Sequence, residues 1–161
     1  MIEIKKNNEQ GYSLKIDEAQ FLINPAKIYS GSYIILSQGD VDINKDTIFQ
    51  APGEYEVKGV YIYSLPSGFF LFNHLDFYML FAENEPDKRY LNEIKKINQE
   101  IEIPIVFIPH LKEPSFWHQE FKTQVFISES KPKKLDSFSI EETKSIKINP
   151  RRIEHKIYIL K

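Results

Sequence analysis

The sequence predicts a single α/β domain, and three observations carry that reading. Short apolar runs, some alternating with polar residues and some unbroken, fill the first half of the chain. Beyond Pro86 a helical spacing takes over and then gives way to further buried-strand runs, a pattern expected of an α/β or α+β fold. The length of 161 residues fits one domain, 1–161, with a core able to bury roughly 70% of the unfolded chain's surface.

The strands can be read in order. Ile2 and Ile4, then Tyr12, Leu14 and Ile16, alternate with polar residues at the period of half-buried strands. Phe21-Leu22-Ile23 is a short apolar run stopped by Asn24-Pro25, and Tyr33 to Leu36 is an unbroken one, which predicts a strand covered on both faces. Pro52-Gly53 predicts a type II turn leading into Tyr55 and Val57. Gly59 interrupts the alternation before Val60 and Ile62, which predicts a bulge or a turn. Phe69–Phe72 and Phe77–Phe81 flank Asn73-His74-Leu75-Asp76 and predict a hairpin. Asp87 reads as an N-cap for a helix over 87–101, with Tyr90, Leu91, Ile94, Ile97 and Ile101 on its apolar face. Ile105–Ile108 and Val125–Ile127 predict buried strands around a short helix at 114–122, and Ile146/Ile148 and Ile157–Leu160 predict two late strands.

Composition excludes several chemistries. Without cysteine there are no disulfides, thiolate zinc ligands or cysteine nucleophiles. The first residues carry no apolar stretch of signal-peptide length, and no run approaches the ~20 apolar residues of a membrane span, so a cytoplasmic protein without membrane association is expected. Neither a G-x-S-x-G elbow nor a glycine-rich phosphate loop occurs. The net charge is −2, yet residues 131–161 hold nine Lys or Arg against four Asp or Glu. Lys131, Lys133, Lys134, Arg151, Arg152 and Lys156 read first as solvated surface and second as a weak nucleic-acid patch, although no RNA-binding aromatic signature accompanies them.

Several segments together resemble the metallo-β-lactamase-like hydrolases, in the branch of zinc-dependent hydrolases of the lactonase type. Tyr12–Pro25 (YSLKIDEAQFLINP) is similar to the family's opening hairpin, and Tyr33–Ile43 to its metal-motif strand and loop. Ala51–Val60 (APGEYEVKGV) is the most specific match, while Ile105–Pro109 and Val125–Ser130 resemble two further buried strands. The resemblance implies an αβ/βα sandwich, four layers in the full family. In a chain this short it implies a trimmed one, with two mainly mixed or antiparallel sheets and few helices.

It also implies a two-metal site that this chain does not equip. A hydrolytic centre needs ligands that fix the ions and leave a coordination position for an activated water. Where the family carries H-x-H-x-D-H, this chain reads Gln38-Gly39-Asp40-Val41-Asp42-Ile43, so Gln38, Asp40 and Ile43 replace histidines and only Asp42 keeps an acidic residue. By the same resemblance Asn84 falls at the bridging aspartate and Ser130 at the last histidine. Gln38, Asp40, Asp42, Ile43, Asn84 and Ser130 are therefore vestigial metal-site positions. No catalytic residue, metal ligand or cofactor is assigned. His74, His110, His118 and His155 show no ligand spacing, and His110 lies nearest the implied site.

The expected function is that of a metal-free, non-catalytic binding or structural module, with a homo-oligomer or a protein partner in view. Tyr61, Tyr63, Phe69, Phe70, Phe116 and Trp117 are the aromatic interface candidates, although such residues fill cores as readily. Two alternatives stand beside it. One is a hydrolase with a rewired carboxylate site, in which Asp40, Asp42, Glu83 and Glu129 converge on a hard cation. The other is weak nucleic-acid binding through the basic C-terminal third.

Overall fold

The structure, a computed structural model, describes residues 1–27, 32–35, 48–66 and 68–161, with the side chains of residues 88–90 outside the description. In chain order the strands are β1 (Ile2–Lys6), β2 (Tyr12–Ile16), β3 (Ala19–Ile23), β4 (Tyr33–Ile35), β5 (Ile48–Phe49), β6 (Gly53–Val57), β7 (Val60–Leu65), β8 (Phe69–His74) and β9 (Phe77–Ala82). Helix α1 (Lys88–Ile97), β10 (Ile105–Phe107), α2 (Pro114–Phe121), β11 (Val125–Ser128), β12 (Ser139–Thr143), β13 (Ser145–Ile148) and β14 (Lys156–Leu160) follow.

Two mixed sheets result. The first has the order β13-β1-β2-β3-β4-β5, and the second β12-β14-β11-β10-β9-β8-β7-β6. Alternation in the sequence sets which side chains face where. Ile2, Ile4, Leu14, Ile16, Phe21 and Ile23 on the first sheet meet Phe70, Phe72, Phe81, Ile105, Phe107 and Ile127 on the second, forming one core between the sheets. The intervening residues of the second sheet, among them Leu71, Leu80, Val106, Phe126 and Ile157, pack with Leu91, Ile94, Trp117 and Phe121 of the helices. Central strands of the second sheet are thus apolar on both faces, as their unbroken runs predict. Both described helices cover this second sheet. Glu3, Lys5, Ser13, Lys15 and Gln20 instead give the first sheet's outer face a polar surface with no helix over it among the described residues. Among the described residues the sandwich therefore has three layers. No described helix is long and apolar enough to cross a membrane.

Several local expectations need correction. Gly53 has φ 158°, far from the +80° or so of a type II turn, and it opens β6 opposite Ser64 instead. At Gly59 the alternative resolves as a turn. Lys58 and Gly59 both take positive φ, and Val57 faces Val60 directly across a two-residue hairpin. The next hairpin turn narrows to Leu75-Asp76, since Asn73 and His74 still pair in β8. Helix α1 stops at Ile97 rather than 101 because Asn98 competes for the backbone: its carbonyl accepts from Ile101 N at 3.2 Å and its Oδ1 from Glu100 N at 3.1 Å. Strands β5 and β12 carry too little apolar pattern to be read in advance. β12 is an exposed edge strand, with Ser139, Ile140, Glu141 and Glu142 all open to solvent.

Candidate functional site

Strands β9, β10, β11 and β14 run parallel, so their carboxyl ends share one edge, which is where open α/β sheets place ligands. Three loops leave that edge: Glu83–Pro86 after β9, Ile108–Glu113 after β10, and the segment from Glu129 after β11. The first sheet brings the end of β1 (Lys6), the start of β2 (Tyr12) and the exit of β3 (Asn24) to the same edge. Asn24 N also bonds Ile35 O at 2.9 Å, so β4 ends there as well.

Side chains from the two sheets bond across this edge. Tyr12 OH donates to Glu129 Oε1, and Lys6 Nζ lies 3.1 Å from Glu129 Oε2. Asn24 Nδ2 donates to Glu83 Oε2 at 3.0 Å. The Tyr12 ring is held edge-on by Phe107, with centroids 4.7 Å apart, and by Phe81 at 6.1 Å. Burial raises the Tyr12 hydroxyl's pKa well above the ordinary tyrosine value. The hydrogen bond to Glu129, that residue's charge and the charge of Glu83 push it the same way.

The loops are also tied to one another. Glu85 Oε1 accepts from Lys112 N at 2.6 Å and Glu113 N at 3.0 Å, and Lys112 O accepts from Lys133 N at 3.1 Å. Pro109 O accepts from Glu129 N at 2.8 Å, and the buried Ser128 hydroxyl lies 2.9 Å from the same carbonyl. Between these loops opens a cleft of about 900 Å³, lined by Asn84, Glu85, His110, Lys112, Ser130 and Lys131 together with Leu111, Glu113, Pro132 and Lys133.

Of the positions that the resemblance reads as vestigial metal-site residues, Asn84 and Ser130 lie together on this cleft, with His110 beside them. Gln38, Asp40, Asp42 and Ile43 fall outside the described residues. Glu83 and Glu129 both approach Tyr12, so two of the four carboxylates invoked for a hard cation share the edge. No group of three or more His, Cys, Asp or Glu able to hold a metal forms among the described residues. The other histidines lie at the opposite end of the sheet. His74 Nε2 bonds Asp17 at 2.8 Å, and the rings of His118 and His155 stand 5.7 Å apart, next to Phe138.

The basic residues of the C-terminal third divide in the same way. Lys131 and Lys133 follow β11 at its carboxyl end. Arg151 and Arg152 precede β14, whose Lys156 pairs with the first residue of β11, at the opposite end. Lys133 is paired with Glu113, and Lys156 with Glu141 at 3.1 Å. Of the six aromatic candidates, Phe69, Phe70 and Trp117 are buried, Tyr63 and Phe116 are partly covered, and Tyr61 alone is exposed.

Two mixed sheets packed face to face, with helices outside and a loop cleft along one edge, define the metallo-β-lactamase fold. A solved structure from Thermotoga maritima, named "putative Zn-dependent hydrolase of the metallo-beta-lactamase superfamily", superposes on this chain with a TM-score of 0.70. The match covers 99% of both chains at 14% sequence identity, a level that establishes the fold alone. No protein-family model and no curated protein matches the sequence.

Sequence reasoning missed Lys6, Tyr12 and Asn24 as partners of the acidic residues. The one available signal is Tyr12 itself. It occupies an inward position of an otherwise aliphatic strand, and a buried tyrosine hydroxyl needs a hydrogen-bond partner.

Proposed function

We propose that this chain is a metal-free binding module on the metallo-β-lactamase fold, without a hydrolytic centre. One observation carries the reading: the described carboxylates at the functional edge are already engaged by the protein. Glu129 is bonded by the Lys6 ammonium and the Tyr12 hydroxyl, and Glu83 by the Asn24 amide. A divalent ion would compete with those donors for the carboxylate oxygens. A lysine ammonium supplies positive charge but has no coordination position for a water, so it cannot generate a metal-bound nucleophile. The positions read by resemblance agree, because an amide at Asn84 and a hydroxyl at Ser130 are weak substitutes for an aspartate and a histidine. The donor set of the described residues does not fit a two-metal hydrolase.

Metal analysis of protein purified without chelator tests this, alongside turnover screens with esters, lactones and phosphodiesters. The expected result is metal far below one ion per chain and no turnover. A stoichiometric divalent ion that is lost on Asp40→Asn or Asp42→Asn would overturn the reading in favour of a rewired carboxylate hydrolase. Light scattering on the same samples reports whether the module assembles with itself, and a pull-down reports a protein partner.

A further inference from the structure

We infer that the cleft at the carboxyl ends of β9, β10 and β11 binds a small phosphate monoester, held by Lys112 and Lys131. The inference rests on the proposed metal-free module and assigns its ligand class. Its support is the balance of charge around the cleft. Five charged side chains line it: Lys112, Lys131 and Lys133, against Glu85 and Glu113. Glu113 is neutralised by Lys133, and Glu85 is turned onto the backbone N–H groups of residues 112 and 113. That leaves the ammonium groups of Lys112 and Lys131 with no ion-pair partner among the described residues, in a chain whose net charge is −2.

Two ammonium groups unpaired among the described residues match a phosphate dianion better than a carboxylate monoanion, and lysine serves phosphate as a point charge. Asn84, Ser130 and His110 add side chains able to donate hydrogen bonds on the same cleft. Buried Leu111 and Pro132 give an organic substituent an apolar floor. The volume of about 900 Å³ lies within the small-molecule range of roughly 300–1,000 Å³. The backbone of the walls is fixed beforehand by the bonds of Glu85, of Lys112 O to Lys133 N, and of Pro109 O to Glu129 N, so binding has mainly the two lysine side chains to order.

The test is an amide chemical-shift titration of the full chain with inorganic phosphate, phenyl phosphate and acetate at constant ionic strength. Metal content is measured on the same sample. Saturable phosphate shifts confined to residues near 84–85, 110–113 and 129–133 are expected, with phenyl phosphate tighter and acetate at least tenfold weaker. Lys112→Met/Lys131→Met should weaken phosphate at least tenfold while keeping the dispersed spectrum. Should the double variant lose its fold, Lys131→Met alone, in an exposed loop, carries the comparison. Shifts spread evenly over the surface, equal acetate affinity, or undiminished binding in the variants would overturn the anion assignment while leaving the metal-free module standing. A stoichiometric metal, or phosphate shifts that vanish with chelator, would overturn both.

Discussion

Replacing Tyr12 with Phe removes one hydroxyl from the middle of the bridge between the sheets and keeps the ring that packs on Phe81 and Phe107. A hydrogen bond to a charged acceptor is worth about 1.5–3 kcal/mol. Here the loss falls at the lower end, about 1.5 kcal/mol, because Glu129 keeps Lys6 and its side chain is 23% exposed, so water can reach it. The pH dependence is the sharper signature. The folded chain holds the Tyr12 proton more tightly than the unfolded chain does, through burial first and the Glu129 contact second. Above about pH 10 the unfolded state therefore loses this proton while the folded state retains it. Stability contributed by the neutral hydroxyl is complete below that pH and falls by about 1.4 kcal/mol per unit above it. The Phe variant lacks this one slope, and every other tyrosine is common to both chains. Urea unfolding, followed through the single buried tryptophan, Trp117, should show the wild type ahead by about 1.5 kcal/mol at pH 7 and level with the variant near pH 11. A gap that stays constant or widens between those pH values would refute the account of a buried, carboxylate-bonded hydroxyl.

Other perturbations read different parts of the fold. Lys6→Met should cost only about 0.5–1 kcal/mol in urea midpoint at low salt and less in 1 M NaCl, because the ion pair is partly exposed at both ends. Trp117→Ala should cost about 3–5 kcal/mol with an unchanged denaturant slope, since the ring is buried beneath the second sheet against Phe121; its unfolding is followed by circular dichroism. Gly11→Ala and Gly59→Ala should separate clearly in thermal unfolding. Both glycines have positive φ, but a Cβ on Gly11 would lie 2.1 Å from Ile23 O, whereas one on Gly59 meets nothing closer than His74 at 4.0 Å. Strain alone, about 1 kcal/mol, is expected at Gly59, and at least about 3 kcal/mol at Gly11.

Much of the fold was legible because it rests on local patterns. The alternation of Ile2/Ile4 and Tyr12/Leu14/Ile16 fixed a sheet with one dry face, and the solid runs Ile105–Ile108 and Val125–Ile127 fixed strands buried on two. What failed was short-range competition and weak pattern. Asn98 ended α1 four residues early through its own backbone contacts, and Gly53 of the Pro-Gly pair opened a strand instead of completing a type II turn. The candidate site was legible only in part. Asn84, His110 and Ser130 could be placed near one another through the strand ends that carry them. Lys6 and Tyr12 could not, because they meet Glu129 across 123 and 117 residues of sequence and no periodicity encodes such a pairing.

Those long-range pairs bear on what holds the edge together. In a sandwich whose loops are gathered around metal ions, the ions contribute to stability directly, since the native state binds them and the unfolded state lacks the assembled site. Here Lys6 and Tyr12 reach from the first sheet to Glu129, and Asn24 from the first sheet to Glu83, so the two sheets are already joined by protein groups. Stability should then be indifferent to metal. Thermal unfolding in EDTA and in added Zn²⁺ or Mn²⁺ should coincide. An ion bound to the native state alone would add about 2.7 kcal/mol at a hundredfold excess over its Kd, a shift of several degrees for a domain of this size. A rise of that size with either ion would show that the site still recruits a cation and that the bonds at Glu83 and Glu129 yield to it.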